Sequence, residues 1–539
     1  MRARRERLAD AASVGVLFAV AIVAGLTFRD YGLGWDDYTH SQYGELLLDF
    51  YRSGFQDRRA LSFVNLYMYG GGFDMAAALA DRLTPFELFS TRRLVGAAIG
   101  ILGLTLTWQL ARRLGGPLAG LLALLLLTTC PQFYGHMFIN AKDAPFAVAM
   151  LFLLYALVRA IEQYPRPSIG TVLTLGIAAG LAIGSRIMGG MAALFMVLPL
   201  AMLVADDMRR HGTAQAAANF AGNALRLAPG LVPAIAVMGL LWPWSVQEPL
   251  NVFRAVGYFS HFFEKPWKEM FEGALIDVPN MPRSYVPVLV SLKLPELFLA
   301  LIPVGLASVG VSAFRPDIAV RRRASLVLIA MAATLPILIA VIARPAMYNG
   351  IRHFLFVLPP LAIVAGLAGA WIAGRALDWS PRAAFVVAIV FLAGLALPAS
   401  HMVRLHPYQY TYFNAIAGGV RNADNQYMLD YWGLAFKQAA ESLRQILTER
   451  AETPPLGRRW RIAVCGPHAP AQVELGPEFH PTWDPKGADF ALMLGEFYCE
   501  KLDAPVLVEV EREGVIYARV YDIRGIAVSR IFTIPPVTR

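Results

Sequence analysis

The run Asp10-Ala-Ala-Ser-Val-Gly-Val-Leu-Phe-Ala-Val-Ala-Ile-Val-Ala-Gly-Leu-Thr-Phe28, followed almost at once by Tyr31-Gly-Leu-Gly-Trp-Asp-Asp-Tyr-Thr-His40, decides the fold. The first piece is uncharged after Asp10 and close to the ~20 apolar residues that a membrane-spanning helix needs. Its basic flank, Met1-Arg-Ala-Arg-Arg-Glu-Arg7, is that of a signal peptide, but no Ala-x-Ala-like site follows, so it reads as a retained first span. The second piece sets Asp36 and Asp37 at the lip of the hydrocarbon. There carboxylates can meet a lipid-borne and a water-borne substrate without crossing the bilayer.

The rest of the chain repeats the first signal. Of 539 residues, 57% are hydrophobic and 16% charged, against about 25% charged in soluble chains, and the mean hydropathy is +0.49. Further apolar stretches occur around 94–111, 117–134, 144–161, 169–185, 188–205, 228–245, 294–314, 325–343, 353–373 and 383–400, eleven spans with the first. With the N-terminus inside, the inner connections receive Arg112-Arg113, Arg159 with Arg166, Arg209-Arg210, Arg315 with Arg321 to Arg323, and Arg375 with Arg382, in agreement with the positive-inside bias. The net charge of +9 is therefore topological and lipid-directed, not a nucleic-acid footprint.

This orientation assigns to the outside the loop 29–93, the connection 135–143, Ser185-Arg186, the loop 246–293, Arg344 to Arg352 and the tail from His401. Ser41 to Tyr51 reads as a short amphipathic helix in the interface. Phe262, Phe263, Trp267 and Phe271, mixed with Glu264, Lys265 and Lys268, are again interfacial in composition, read first as anchoring and second as a lid. In the tail, Gly433 to Glu452 reads as an amphipathic helix, Arg461 to Cys465 and Phe490 to Leu494 as buried strands, and Val506 to Tyr521 as a hairpin turning near Gly514, together a small α/β domain. Cys465 and Cys499 are either a disulfide or two buried thiols.

Three constellations carry candidate chemistry. The Asp36-Asp37 pair could supply a general base toward an acceptor hydroxyl, or Asp36 could merely cap a helix while Asp37 is solvated. In Tyr134-Gly-His-Met-Phe-Ile-Asn-Ala-Lys-Asp-Ala-Pro145, Asp143 either caps the fourth span or joins the first pair, with Lys142 or His136 steering a phosphate or sugar. Arg186 and the Tyr348-Asn-Gly-Ile-Arg352-His353 group are outer cations and polar neighbours that run against the positive-inside trend; a guanidinium there could stabilise a departing phosphate, or Arg186 could merely snorkel to lipid phosphates. Arg283 and Lys293 are weaker candidates. No tight metal-ligand spacing occurs, although His40, Asp36, Glu45, His261 and His353 could meet in space, so no metal residue is assigned and dependence on a divalent metal stays open. No phosphate loop or dinucleotide-binding turn is present.

On these residues the chain resembles the GT-C glycosyltransferases, in the family-39-like group related to protein O-mannosyltransferases and lipid A aminoarabinose transferases. The resemblance rests on Asp36-Asp37 after the first span, Asn140-Ala-Lys-Asp-Ala-Pro145, Gly184-Ser-Arg186 and Tyr348-Asn-Gly-Ile-Arg-His-Phe-Leu-Phe-Val-Leu-Pro359, in that order over residues 10–400. It implies inverting transfer of a sugar from a polyprenyl-phosphate carrier to an extracytoplasmic acceptor: a protein hydroxyl, lipid A or a cell-envelope glycan. It also implies Asp36 or Asp37 as base, Asp143 in support and Arg186 on the donor phosphate. Related enzymes commonly have Asp-Glu where this chain has Asp-Asp, which leaves open which carboxylate is the base. The motifs His406 to Asn414 and Leu429 to Gly433 are similar to those of a subset with an extra external domain; their aromatic residues read first as seating that domain on the membrane and second as binding glycan.

The expected architecture is an all-α membrane bundle of about eleven transmembrane helices over residues 1–400, with an extracytoplasmic α/β domain over 401–539. The expected location is the bacterial inner membrane. The rival reading is a multi-span transporter or flippase of a lipid-linked substrate, which would place its ionisable residues at mid-membrane in paired halves.

Overall fold

The computed structural model describes residues 2–260 and 267–531. Phe262, Phe263, Glu264, Lys265 and His261 lie outside the described residues.

The chain shuttles between the two ends of a helical bundle. α1 (Arg2–Thr27) delivers it to one end, where α2 (Asp37–Arg52) and α3 (Gly72–Asp81) lie. α4 (Leu88–Gly115) returns, and α5 (Pro117–Thr128) with α6 (Pro131–Ile139) comes back as a pair bent by 64°. The alternation continues through α7 (Asp143–Glu162), α8 (Ile169–Ser185), α9 (Ala192–His211) and α10 (Thr213–Leu227) with α11 (Leu231–Leu241). α12 (Asn251–Ser260), a hairpin of β1 (Lys268–Phe271) and β2 (Ala274–Asp277), and α13 (Tyr285–Lys293) follow. α14 (Glu296–Phe314), α15 (Val320–Ala343), α16 (Leu358–Trp379) and α17 (Pro381–Leu405) complete the bundle.

Among the described residues nine helices are long and apolar enough to cross a membrane, ten if the α5–α6 pair counts as one. The difference from the eleven expected spans has two local causes. Pro131 lacks the N–H that would continue α5, so the third span breaks there. α8 is apolar but has 17 residues, about 25 Å at 1.5 Å per residue, short of a hydrocarbon core of about 30 Å. Phe314, Phe385 and Leu392 stand exposed on the bundle surface, as side chains facing lipid tails do. The connections at one end carry the basic clusters of residues 112–113, 166, 209–210, 315–323 and 375–382.

The opposite end carries the tail. After α17 the chain forms α18 (Gly419–Ala423), α19 (Ala435–Glu449), β3 (Trp460–Cys465), α20 (His468–Leu475), β4 (Phe479–Thr482), β5 (Phe490–Leu494), β6 (Val506–Arg512) and β7 (Val515–Asp522). The strands form one sheet in the order β4-β3-β5-β7-β6, parallel at β4-β3-β5 and antiparallel beyond. The parallel β3-β4 pair needs a crossover, and α20 supplies it. Asp430 caps α19, accepting from the N–H groups of Gly433, Leu434 and Ala435 and from the Tyr410 hydroxyl. Cys465 and Cys499 are joined as a disulfide.

One continuous apolar core runs from bundle to tail. Tyr408, Tyr410, Tyr412 and Phe413 are buried in it, and Gln132 of α6 donates to the Tyr410 carbonyl at 2.7 Å. These rings therefore seat the tail on the bundle and not, as expected, on the membrane. β4 is a strand that the sequence reading missed: it is four residues long, and Pro481 interrupts its pattern.

Candidate active site

The Tyr31–Asp36 segment is held from both sides before it reaches α2. The Tyr31 hydroxyl donates to Gln409 Oε1 at 3.2 Å, and Glu474 of α20 accepts the Leu33 N–H at 2.9 Å. The two aspartates then part ways. Asp37, the first residue of α2, is 3% exposed; it accepts the Gly34 N–H at 2.8 Å and both Arg93 Nη groups, at 3.0 and 2.6 Å. Behind it Asp74 of α3 pairs with Arg92 at 2.7 Å and with His40 Nδ1 at 2.6 Å. Asp36 makes no side-chain cap, is 48% exposed at its side chain, and has Lys142 Nζ at 3.8 Å. The capping alternative is thus reversed: Asp37 is locked in structure and Asp36 is the available carboxylate. Burial pushes the Asp36 carboxyl up, but neighbouring positive charge, chiefly Lys142 and Arg352, holds the group below its ordinary value.

The α6–α7 connection supplies the facing wall. Asn140 Oδ1 accepts the N–H groups of Lys142 and Asp143, and its amide donates to Asp143 Oδ2 at 3.0 Å. Asp143 is buried, with Arg186 Nη1 2.9 Å from Oδ1 in an ion pair that lacks hydrogen-bond geometry, and Arg352 Nη1 3.7 Å from Oδ2. The Tyr69 ring lies under both Lys142 (4.9 Å) and Arg186 (5.9 Å). Its neighbour Gly70 makes this approach feasible, since a Cβ there would sit 1.5 Å from the Gly184 carbonyl oxygen. Arg352 stacks over Tyr348 at 4.7 Å and over Trp432 at 5.5 Å, and His353 meets Tyr348 edge-on.

The tail completes the site. Trp432 joins Gly34, Asp36, Asp37, His40, Asn140 and Lys142 in lining a recess of ≈ 10 Å³, room for about one water molecule. Tyr431 lies 3.2 Å from His136 Nε2, and His136 packs edge-on against Tyr410 and Trp432. The Leu429 to Gly433 motif thus caps α19 through Asp430, meets His136 through Tyr431 and reaches the recess through Trp432.

Asp36, Asp37, His136, Lys142, Asp143, Arg186, Tyr348, Arg352 and His353 are therefore gathered at one end of the bundle. Arg283 is exposed, and Glu45 pairs with Arg82 at the surface. Lys293 belongs to a neighbouring buried cluster. There Glu269 accepts from the Asn349 and Gly350 N–H groups and the Tyr285 hydroxyl, while the Lys293 ammonium lies 4.0 Å over Phe413. Burial drives both toward their neutral forms, Glu269 up to about 7 and Lys293 down to about 7. Among the described residues no three His, Cys, Asp or Glu side chains come close enough to hold a metal ion. The sequence reading missed Asp74, Arg92, Arg93 and Trp432. For the arginines a signal existed: Arg92-Arg93 open a span at its expected outer end, the same violation of charge bias that singled out Arg186.

The fold and parts of the sequence have counterparts. Residues 75–230, which contain Lys142, Asp143 and Arg186, match the family model described as dolichyl-phosphate-mannose-protein mannosyltransferase. A comparison with the curated proteins finds no match. Two crystal structures of ArnT from Cupriavidus metallidurans superpose over 95% of this chain and 97% of theirs at 16% identity. The apo form has a TM-score of 0.53 and the form bound to undecaprenyl phosphate 0.51. The chain thus has the GT-C glycosyltransferase fold of ArnT and, over residues 75–230, resembles the protein O-mannosyltransferases.

Proposed function

We propose that the protein is an inverting membrane glycosyltransferase that moves a sugar from a polyprenyl-phosphate donor to an acceptor at the extracytoplasmic face. The observation that carries this reading is the charge balance around the recess. Three cations, Lys142, Arg186 and Arg352, face two carboxylates, Asp36 and Asp143, which leaves a net positive site suited to a phosphate. The Nε groups of Arg186 and Arg352 are buried without hydrogen-bond partners, so two guanidinium edges stand ready for an anion.

The chemistry follows from the placement. The cations hold the donor phosphate and stabilise the charge it gains as the bond to the anomeric carbon breaks. Asp36, the accessible carboxylate, accepts the proton of the attacking hydroxyl. Asp37 and Asp143 hold the two walls. The Tyr69, Tyr348 and Trp432 rings offer flat apolar faces to a sugar. A protein of the same fold has been crystallised with undecaprenyl phosphate, which supports a lipid-linked donor here. The tail disulfide suits an oxidising compartment. The basic clusters at the far end suit the cytoplasmic side, which would put the site in the periplasm.

The test uses purified protein in lipid with radiolabelled sugars on polyprenyl phosphate and an envelope extract as acceptor. Label should move to the acceptor with the native enzyme, and Arg186→Leu and Arg352→Leu should each weaken use of the donor by about tenfold or more. Absence of transfer from every donor by folded protein would refute the reading.

A further inference from the structure

His40 has a feature that the proposed reaction leaves unused. It is 3% exposed, its Nδ1 is 2.6 Å from Asp74, and its Nε2 is buried with no hydrogen-bond partner, while His40 is among the residues lining the one-water recess beside Asp36. A buried polar nitrogen without a partner at a cavity calls for one. Asp74 fixes what that nitrogen presents. Its charge is already matched by Arg92 at 2.7 Å, as that of Asp37 is by Arg93. A neutral imidazole that donates its Nδ1–H to Asp74 in a hydrogen bond keeps this buried group balanced and leaves the Nε2 lone pair unpaired at the recess lining.

We propose that His40, held by Asp74, is a second proton-handling residue of this site and that the proton of the attacking acceptor hydroxyl ends on His40 Nε2. The inference rests on the transferase reading above. The acceptor oxygen bonds to the anomeric carbon, the bond from that carbon to the phosphate oxygen breaks, and the electron pair leaves with the phosphate. The hydroxyl proton passes through Asp36 to Nε2, and Asp74 stabilises the imidazolium that forms. A physical need motivates the second group. Asp36 is surrounded by cations that favour its ionised form, which makes it a weak base near neutrality, whereas an imidazole nitrogen is a side-chain group suited to taking up a proton there. The charged and titratable groups around His40 are Asp36, Asp37 and Tyr43 from its own helix and the turn before it, Asp74 from α3, Arg92 and Arg93 from α4, and Lys142 from the α6–α7 connection.

The experiment measures transfer by the full-length enzyme in lipid as a function of pH for the native protein, His40→Gln and Asp74→Asn. The native rate should fall on acidification through a single midpoint. His40→Gln should lose about 100-fold at its plateau and shift that midpoint downward by about one pH unit or more, with the KM for donor within about twofold of native. Asp74→Asn should lie between. An unchanged plateau and midpoint in His40→Gln would overturn the proposal. Nitrogen NMR of histidine-labelled protein, with the His40 signals identified by their loss in His40→Gln, gives a readout independent of turnover. A protonated Nδ1 and bare Nε2 at about pH 8, with this preference lost in Asp74→Asn, are expected. Transfer by the native enzyme together with a protonated Nε2 would overturn the proton path alone. The expected tautomer without any transfer would overturn the transferase reading and the path with it.

Discussion

Asp37 and Asp36 are neighbours in sequence with opposite physical situations, and substitution should separate them. The Asp37 carboxylate is buried and bonded twice to Arg93, so removing it strands a guanidinium away from water, at a cost of about 3–5 kcal/mol. Asp37→Leu should lower the thermal midpoint in detergent or lipid markedly, and Arg93→Met in the same chain should recover much of the loss because no unpaired charge is then left. Asp36→Asn should leave the midpoint within about one degree, since its ion pair with Lys142 is long and half-solvated. The sequence showed both carboxylates and their position at the lip of the first span, but not which was free. That distinction depends on Arg93, which is 56 residues away in the chain and brought into range only by the tertiary fold, in which α2 packs on α3 and α3 on α4. Periodicity carries no information about such a partner.

At the scale of elements, span existence was legible and span integrity was not. Apolar runs of sufficient length are visible in any hydropathy profile, and the expected span 169–185 coincides with α8, whereas the 64° bend inside the expected span 117–134 leaves no trace in hydropathy. The β1-β2 hairpin was not anticipated at all, because its two strands have four residues each, too short for an alternation to register. Its Glu269 gives it a pH signature. Burial pushes that carboxyl from about 4.5 up to about 7, and the Asn349 and Gly350 N–H groups with the Tyr285 hydroxyl only partly offset the effect. The folded state then binds a proton that the unfolded state has released, so this contribution to stability is full below about pH 4.5 and declines as pH rises through about 7. Glu269→Gln should flatten the thermal midpoint against pH over this window. It should match the native protein near about pH 5 and exceed it by about 2 °C or more near about pH 8. A midpoint that falls equally in both proteins would place the titrating group elsewhere.

For the molecule as a whole, the tail is part of the site and not an appendage. Its strands β3 and β5, its amphipathic helix and the hairpin turning at Gly514 were legible from local pattern, whereas β4 was not. Its docking was not, because the contacts of Gln409 with Tyr31, Tyr431 with His136 and Glu474 with Leu33 are formed between residues several hundred positions apart. Trp432→Leu should therefore depress transfer by about tenfold or more while the tail stays folded, as judged by protease resistance. A variant with unchanged kcat and KM would show the tail to be a bystander to the chemistry.

The most direct test of the central claim, that Asp36 and the surrounding cations form a sugar-transfer site fed by a polyprenyl phosphate, is a parallel measurement of label transfer and thermal midpoint for the native enzyme and Asp36→Asn. Robust transfer by the native protein, with a loss of about 100-fold or more in Asp36→Asn at an unchanged midpoint, is the predicted result. Transfer by Asp36→Asn at the native rate would contradict the claim and return the recess to a purely structural role.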